Sequence, residues 1–297
     1  MSLLVLNTLH WGSLLLALAL LKLAMPFRAT RRRLDPLLNT IATGWVSCNS
    51  VWMRWTQRTA WDTQPIQGLQ RRAWYLVSCN HQSWVDIFVL QRTLNGKVPL
   101  LKFFLKRELL FVPVMGLTWW ALDFPFVRRQ SRRKLRRRPQ LRTRNERTAL
   151  KACEKFALVP TSVTNFVEGT RFTRRKHMMQ ASPYRHLLKP RVGALASSLR
   201  VLGPHLTSFL DVTIVYPDGV PSFWQFLCGR TRRVIVRCRE LDVPAELRPD
   251  DDDAADPLFR ARLARWLAGI WAEKDREIDA ILHPAPVRSL ALPLHSA

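Results

Sequence analysis

The sequence predicts an α/β fold, with a mostly parallel sheet flanked by helices and preceded by N-terminal helices that associate with a membrane. Two observations predict it. Short apolar runs of strand length alternate with longer segments of helical periodicity, which is typical of parallel sheets. The chain also opens on an apolar stretch that is followed by arginines.

The apolar stretch runs from Leu3 to Phe27, and a helix needs about 20 apolar residues to cross a bilayer. Lys22 lies near its end, where its side chain is expected to reach towards the interface. The basic residues that follow are Arg28, Arg31, Arg32 and Arg33. This order is the reverse of a secretory signal peptide. It predicts a retained membrane anchor, with the next domain on the cytoplasmic side. An interfacial helix is the alternative.

The segment from Asp35 to Arg58 has Trp45, Trp52 and Trp55 at roughly helical spacing. This spacing predicts an amphipathic helix that leans on the membrane or on the first helix. An ordinary helix that faces a core is the alternative.

The α/β region contains further predicted elements in chain order. The run from Ala73 to Cys79 predicts a buried strand, and Val85 to Leu94 has helical periodicity. The apolar segment from Pro99 to Phe126 is interrupted by Lys102, Lys106, Arg107 and Glu108, so we expect it to pack in the domain while touching the bilayer. The remaining predictions are helices at Thr143 to Leu158 and Pro190 to Leu202, and strands at Thr161 to Phe166, Asp211 to Tyr216 and Arg233 to Arg239.

The last predicted helix begins at Asp256-Pro257, since Asp is a good N-cap and Pro a good first helical residue, and it runs to about Ile281. We therefore divide the chain into three parts. Residues 1–60 form the membrane anchor and amphipathic helix, 61–285 form the α/β domain, and 286–297 form a loose tail.

The charge balance bounds the partners. The chain has 47 Lys and Arg against 22 Asp and Glu, which gives a net charge of +25. Nucleic acid, acidic lipid surfaces and phosphorylated small substrates all attract such an excess. Twelve Trp residues favour a membrane interface among these. The five cysteines are widely spaced and contain no CxxC pair, which argues against a disulfide framework or a zinc site and favours the cytoplasm.

The first motif, from Asn80 to Asp86, lies between a predicted strand and a predicted helix, where open α/β sheets bind ligands. His81 can take a proton near neutral pH, and Asp86 can fix its tautomer. On one ideal helix the two would diverge by about 140°, so a turn must bring them together. The spacing favours a His–Asp dyad whose nucleophile is a substrate hydroxyl. A purely structural His–Asp pair is the alternative.

The second motif runs from Phe166 to Arg171 and follows another predicted strand. Gly169 permits a tight turn that exposes backbone N–H groups, and Arg171 can bind a phosphate with two N–H groups. A simple surface turn is the alternative.

The two motifs together resemble the glycerolipid acyltransferase family, whose bacterial members acylate 1-acylglycerol-3-phosphate. Asn-His-x-Ser-x-x-Asp is followed 85 residues later by Phe-x-Glu-Gly-Thr-Arg. The family's second and fourth blocks are resembled by Phe124–Arg129 and Val215–Pro217, and Lys106–Leu109 resembles the segment that leads into the second block. The similarity covers roughly residues 70–220. Two departures are Val127, where the second block commonly has Asp, and Val167, where the third block usually has Pro.

The resemblance implies a role for each matched residue. His81 would be the general base on the acceptor hydroxyl, and Asp86 would orient it and stabilise its charge. Arg128 or Arg129, together with Arg171, would hold the acceptor's phosphate. The other residues implied at the acceptor site are Lys106, Glu168, Gly169 and Thr170.

The implied reaction is direct acyl transfer, with an oxyanion donor for the tetrahedral intermediate and without a metal or redox cofactor. The partners would be membrane phospholipid and lysophospholipid, with acyl-CoA or acyl carrier protein as donor. Val127 and the basic segment motivate an alternative, a remodelling acyltransferase for lysophosphatidylglycerol or lysocardiolipin.

The segment from Arg128 to Arg147 holds eleven Lys or Arg residues. It would face anionic lipid or recruit acidic acyl carrier protein, and a solvated loop is the plain alternative. A basic nucleic-acid-binding membrane protein is a remote hypothesis. The segment has no interleaved aromatic residues for stacking, and both motifs would be unexplained, so no nucleic-acid partner is expected.

Overall fold

A six-stranded sheet forms the centre of the molecule. The computed structural model describes residues 2–25, 27–112, 115–127, 150, 154, 156, 159–248 and 256–284. Its α-helices are α1 (Ser2–Ala24), α2 (Arg28–Thr56), α3 (Val85–Leu94), α4 (Met115–Ala121), α5 (Arg174–Gln180), α6 (Gly193–Leu202), α7 (Phe223–Leu227) and α8 (Pro257–Leu282). Its strands are β1 (Ala60–Thr63), β2 (Tyr75–Cys79), β3 (Leu101–Phe103), β4 (Leu105–Lys106), β5 (Phe126–Val127), β6 (Ser162–Asn165), β7 (Ser208–Val215) and β8 (Arg233–Leu241). Two 3-10 helices lie at Arg107–Phe111 and Ala245–Leu247.

The strand order is β1-β8-β7-β2-β6-β3. Neighbouring strands are parallel except β7 and β8, which are antiparallel. β4 and β5 form a separate parallel pair. The predicted mostly parallel sheet with flanking helices is therefore confirmed.

The central strands are buried along their whole length. Every residue of β2 and of β7 is buried, and a parallel strand covered on both faces is expected to be a continuous apolar run. The predicted strands at 73–79, 161–166, 211–216 and 233–239 are all present. β7 begins at Ser208, three residues before the predicted start, because it pairs with β2 from Tyr75 onwards.

Helices pack on both faces of the sheet. α8 and α6 contribute to one apolar core, and α2 and α3 contribute to the other. α8 begins as predicted, since the Asp256 carboxylate accepts hydrogen bonds from the N–H groups of Leu258 and Phe259. α3 has the predicted bounds, whereas α6 begins at Gly193 rather than at Pro190.

The sequence patterns did not predict the short elements α5, α7 and β1. α5 and α7 are one to two turns long, and their caps are local, since Thr173 and Ser222 accept hydrogen bonds from N–H groups three residues later. β1 is four residues long and pairs only with β8. The predicted helix at 143–158 lies largely outside the described residues, as do the basic segment 128–147 and the tail 286–297.

The two N-terminal helices are packed against the domain. α1 contacts α2 and α4, and it is the helix, within the described part of the chain, that is long and apolar enough to cross a membrane. The expectation for Lys22 is wrong. Its side chain is 1% exposed and forms ion pairs with Asp35 at 2.7 Å and Asp123 at 3.0 Å.

α2 packs on the first helix, as the amphipathic-helix prediction says, and it also contributes to the domain core, as the alternative says. It begins at Arg28, seven residues before the predicted start at Asp35, and it packs along α1. Trp52 is buried in the domain core, whereas Trp55 is 76% exposed. The predicted compact segment at 99–126 forms β3, β4, a 3-10 helix, α4 and the start of β5.

Candidate active site

Three neighbouring parallel strands end at one edge of the sheet and position the site. β6, β2 and β7 lie side by side and end at Asn165, Cys79 and Val215. Loops that follow neighbouring parallel strands meet at the carboxyl edge of a sheet. The two sequence motifs follow β2 and β6, so the topology brings them together.

His81 lies in the loop between β2 and α3. Its Nδ1 is 2.8 Å from Oδ2 of Asp86, and the two side chains are 14% and 1% exposed. The carboxylate accepts, so Nδ1 carries the proton and Nε2 remains available as a base. The predicted turn is confirmed, because Asp86 lies in the first turn of α3 and the preceding loop folds back over it.

Four donors hold the Asp86 carboxylate. Besides His81, Oδ2 accepts hydrogen bonds from the N–H groups of Gln82 at 2.7 Å and Ser83 at 2.9 Å. The Tyr216 hydroxyl donates to Oδ1 at 2.7 Å. Burial, and then the nearby Asp86 charge, raises the pKa of Tyr216, which therefore remains a donor through neutral pH. A carboxylate bound in this way keeps one orientation towards His81.

The loop that carries His81 is itself tied to the sheet. The Asn80 side chain donates to the carbonyl of Ile214 at 2.8 Å and accepts from its N–H at 2.9 Å. The Ser83 hydroxyl donates to the carbonyl of Pro221 at 2.6 Å. The loop that carries His81 is thus anchored on β7 and on the segment that follows it.

Aromatic rings support the imidazole. The His81 and Phe166 rings are stacked, with centroids 4.0 Å apart and an interplanar angle of 16°. Phe103 stacks on the far side of the site at 6.0 Å from Phe166. The imidazole plane is therefore fixed by packing as well as by its hydrogen bond.

Glu168 is completely buried under the same loop. Oε1 accepts from the N–H of His81 at 3.3 Å, and Oε2 accepts from the N–H of Leu188 at 3.4 Å. Burial raises the pKa of Glu168 to about 8, against the opposing effect of these two N–H groups. The carboxyl thus holds its proton at neutral pH, and its hydrogen bond with the His81 N–H fixes the backbone of that residue.

The turn after Glu168 places Arg171 at the surface of the site. Gly169 has φ +70°, which favours glycine, and its N–H donates to the carbonyl of Phe166 at 2.8 Å. Lys176 donates to the Thr170 hydroxyl and to the Arg171 carbonyl, both at 2.8 Å. The exposed Arg171 guanidinium lies 5.2 Å from the centroid of the Trp84 ring.

The remaining predicted phosphate ligands come from the second block. Lys106 is exposed in β4, where it pairs with Val127 of β5. Arg128 and Arg129, which follow Val127 in the chain, lie outside the described residues. Over the described ranges, no three His, Cys, Asp or Glu side chains form a group that could hold a metal.

An apolar pocket of about 440 Å³ opens beside the dyad. Its walls come from α2, α3, α4, α7, β3 and β4, and they include Trp84 and Phe103. Trp84 contacts Arg171, and Phe103 stacks on Phe166, which covers His81. These ring contacts connect the pocket lining to the site, although neither His81 nor Asp86 lines the pocket. The sequence alone could not show that these six elements meet around one pocket.

Two supporting residues, Tyr216 and Phe166, lie in the sequence motifs, but the motifs assign them no role. Tyr216 immediately follows β7, and a polar side chain at the end of a strand next to β2 is a signal that could have found it. Phe166 was seen only as the first residue of its motif. Lys176 has no distinctive spacing to the dyad, and Trp84 lies inside the first motif at a position that the family pattern leaves unspecified.

Comparisons with known proteins identify the family of the chain. The family model described as Acyltransferase matches residues 64–214, about half of the chain. The 1-acyl-sn-glycerol-3-phosphate acyltransferase gamma of Mus musculus is 25% identical over 238 residues, 75% of this chain and 57% of that protein. The delta protein of Homo sapiens is 26% identical over 214 residues, 67% and 51% respectively. The chain thus spans about half the length of these curated relatives.

A solved structure shares the fold. The crystal structure of the 1-acyl-sn-glycerophosphate (LPA) acyltransferase, PlsC, from Thermotoga maritima is similar with a TM-score of 0.50 at 15% identity. The similarity covers 94% of this chain and 95% of that one. The family match spans both motifs and the strands that carry them. The chain belongs to the Acyltransferase family.

Proposed function

We propose that this protein transfers a fatty acyl group from a thioester donor to the free hydroxyl of a lysophospholipid, with 1-acylglycerol-3-phosphate as acceptor and phosphatidate as product. One observation carries the proposal. The His81–Asp86 dyad is linked through the Phe166 and Phe103 rings to an apolar pocket whose Trp84 contacts the exposed Arg171, and no Ser, Thr or Cys side chain of the described residues hydrogen-bonds to the imidazole. The relatives named above as 1-acyl-sn-glycerol-3-phosphate acyltransferases support the choice of acceptor.

His81 acts as the general base. Its Nε2 takes the proton of the acceptor hydroxyl while that oxygen attacks the thioester carbonyl, forming a C–O bond. The tetrahedral intermediate then collapses, the C–S bond breaks, and the thiolate recovers the proton from Nε2. Asp86 stabilises the imidazolium between the two steps and keeps Nδ1 protonated.

The apolar pocket would hold the acyl chain. A volume of about 440 Å³ lies in the range of ligand pockets, and its walls are almost entirely apolar side chains. Burial of methylene groups there is favourable by about 0.8 kcal/mol each. Trp84 at its mouth would place the thioester beside His81.

Arginine would hold the acceptor's phosphate. The Arg171 guanidinium lies over the Trp84 ring, and stacking leaves its in-plane N–H groups directed outwards. We assign a supporting role to Lys106 and to Arg128 or Arg129, as the family resemblance implies. Glu168, Gly169 and Thr170 shape the acceptor site through the turn that carries Arg171.

The acyl donor is proposed to be acyl-CoA or acyl carrier protein, and the reaction requires no metal or redox cofactor. Both donors are anionic, and the chain has a net charge of +25. Electrostatic attraction would therefore raise the association rate with either one.

The protein is proposed to act at a membrane. Apolar side chains of α1 such as Leu6 and Leu9 are 60% and 64% exposed, while its one charged residue, Lys22, is turned into the protein. A helix with an exposed apolar face and a face packed on the domain suits the interface as well as a span. We place it at a bacterial-type inner membrane with the catalytic domain on the cytoplasmic side.

A remodelling acyltransferase for lysophosphatidylglycerol or lysocardiolipin is the second candidate. Val127 stands where the family commonly has Asp, directly before the proposed phosphate ligands, and the basic segment follows. A larger acceptor head group would account for both Val127 and the basic segment.

An acceptor panel separates the two candidates. Purified protein would be given one radiolabelled acyl-CoA and equal amounts of lysophosphatidate, lysophosphatidylglycerol or lysocardiolipin, and each product measured. We expect the highest kcat/KM with lysophosphatidate. A higher value with either of the others would favour remodelling, and no product with any of the three, from acyl-CoA or from acyl carrier protein, would refute the proposed function.

A further inference from the structure

A second cleft of about 290 Å³ lies between α2, β1 and the last turn of α3. Its lining includes three cationic residues, Arg54, Arg92 and Lys97, and no acidic residue. It shares no lining residue with the apolar pocket. The mechanism proposed for the dyad makes no use of it.

The cleft is separate from the catalytic site. Asp86 lies in the first turn of α3, and Arg92 lies in its last turn. Six residues of helix separate them by about 9 Å along the axis. A ligand in the cleft would therefore contact neither His81 nor Arg171.

Arg92 is held in place for binding. Its guanidinium lies 4.5 Å from the centroid of the Trp61 ring, and Nη1 donates to the carbonyl of Ser50 at 3.2 Å. Burial, and then the nearby charge of Arg54, lowers the pKa of Arg92, so two cations oppose each other across the cleft. A guanidinium has five N–H donors, and an anion placed here would accept from those that remain and relieve the repulsion.

Thr93 adds a polar group to the same lining. It is 7% exposed, and its hydroxyl has no hydrogen-bond partner among the described residues. A buried hydroxyl without a partner is unfavourable. Threonine in a helix populates two χ1 rotamers, so rotation gives this hydroxyl access to an anion in the cleft.

The surroundings favour a lipid as the source of that anion. Asn7 of α1 donates to the Trp45 carbonyl and to the Asn49 side chain, which places the start of α1 beside the last turns of α2. Leu3 in that first turn is 53% exposed, and Trp55, next to Arg54, is 76% exposed. Exposed leucine and indole side chains near cationic residues are typical of a membrane interface.

We infer that this cleft is a second anion site, which binds the phosphate group of a phospholipid head group or a free phosphate outside the catalytic centre. The cationic side chains, the stacked Arg92 guanidinium and the unpartnered Thr93 hydroxyl would each bind an anion favourably. This inference does not depend on the proposed acyl transfer.

Fluorine NMR on the full chain tests the inference directly. The protein would be labelled with fluorotryptophan in detergent micelles, and the Trp61 resonance would be assigned with Trp61→Phe. Inorganic phosphate and a short-chain phosphatidate would be titrated separately. We expect a saturable shift of the Trp61 resonance, weakened about tenfold or more in Arg54→Gln/Lys97→Gln, which leaves the Arg92–Trp61 contact in place.

The matched control is Arg262→Gln/Arg265→Gln, which removes the same charge from exposed positions of α8 on the opposite face of the sheet. It should bind as the unsubstituted protein does. A shift with phosphatidate alone identifies a lipid head group, and a shift with both ligands identifies a general phosphate site. No shift of Trp61, or equal weakening in the control, would overturn the inference.

Discussion

At the scale of single residues, the site depends on a buried carboxylate that is fully hydrogen-bonded. Asp86 accepts from His81, from two backbone N–H groups and from the Tyr216 hydroxyl. Such a carboxylate cannot rotate away, and a buried charge with this many donors is favourable relative to one left unpaired. The stacked Phe166 ring then leaves the imidazole a single orientation.

Asp86→Asn should therefore remove catalysis without preventing folding. The amide can no longer enforce a proton on Nδ1 of His81, so Nε2 loses its role as base. We expect kcat for acyl transfer to fall by about 10²–10⁴-fold. The control is Asp218→Asn, which removes an exposed carboxylate that pairs with Arg233, and it should retain activity. Near-normal turnover in folded Asp86→Asn would contradict the assigned role.

Glu168 makes stability depend on pH in a defined direction. Its pKa in the folded protein is raised from 4.5 to about 8, so the folded state binds this proton more tightly than the unfolded state. This contribution is fully present below about pH 4.5 and is lost as the pH rises through about 8.

Glu168→Gln should flatten that dependence. Urea unfolding measured from pH 5 to pH 8 should show a smaller fall in the free energy of unfolding than in the unsubstituted protein. Glu273→Gln, at a side chain that is 53% exposed, should keep the original slope. An identical slope for Glu168→Gln would show that its carboxyl is already ionised in the folded protein.

At the scale of elements, a buried ion pair joins α1 to the domain. The Lys22 ammonium contacts Asp35 in α2 and Asp123 after α4, and it donates to the Ala121 carbonyl at 2.7 Å. An apolar helix that inserted into a membrane independently of the domain would not form ion pairs with residues of the domain. α1 is therefore packed into the folded unit.

Lys22→Met should destabilise this arrangement. The substitution keeps the volume but leaves two carboxylates without their cation, at a cost of about 3 kcal/mol, since removing one partner of a buried pair is costly. Thermal unfolding in detergent measures it. Leu20→Ala, on the exposed side of the same helix, should change stability much less. Equal effects of the two would mean that the pair is not structural.

Long elements could be predicted from the sequence because their signals are local. The 3.6-residue periodicity of α3 and the Asp-Pro start of α8 depend on neighbouring residues alone. The dyad was predicted because both partners occur in one short motif. The antiparallel β8, the Tyr216 contact and the Lys22 ion pairs depend on partners many residues away, which no local pattern indicates.

At the scale of the whole molecule, the apolar pocket is a joint product of the second N-terminal helix and the α/β domain. α2 contributes one wall, and α3, α4, α7, β3 and β4 contribute the others. In the proposed reaction, the acyl chain and His81 would therefore belong to a single folded unit, and the length of chain that fits would depend on the side chains that line the pocket.

Val46→Phe should shift the preference for acyl donors. Val46 lines the pocket from α2, and a larger ring there would occupy part of its volume. We expect kcat/KM to fall for long-chain donors and to change little for short ones, in an assay across acyl-CoA chain lengths. Leu37→Phe, at an exposed position of the same helix, is the control. An unchanged chain-length profile would place the acyl group elsewhere.

The central claim is that His81 is the base for acyl transfer to a lysophospholipid. Its most direct test is phosphatidate formation from lysophosphatidate and acyl-CoA by purified His81→Ala, with folding checked by circular dichroism. The account predicts a loss of about 10²–10⁴-fold in kcat in a folded protein. Undiminished phosphatidate synthesis by folded His81→Ala would contradict it.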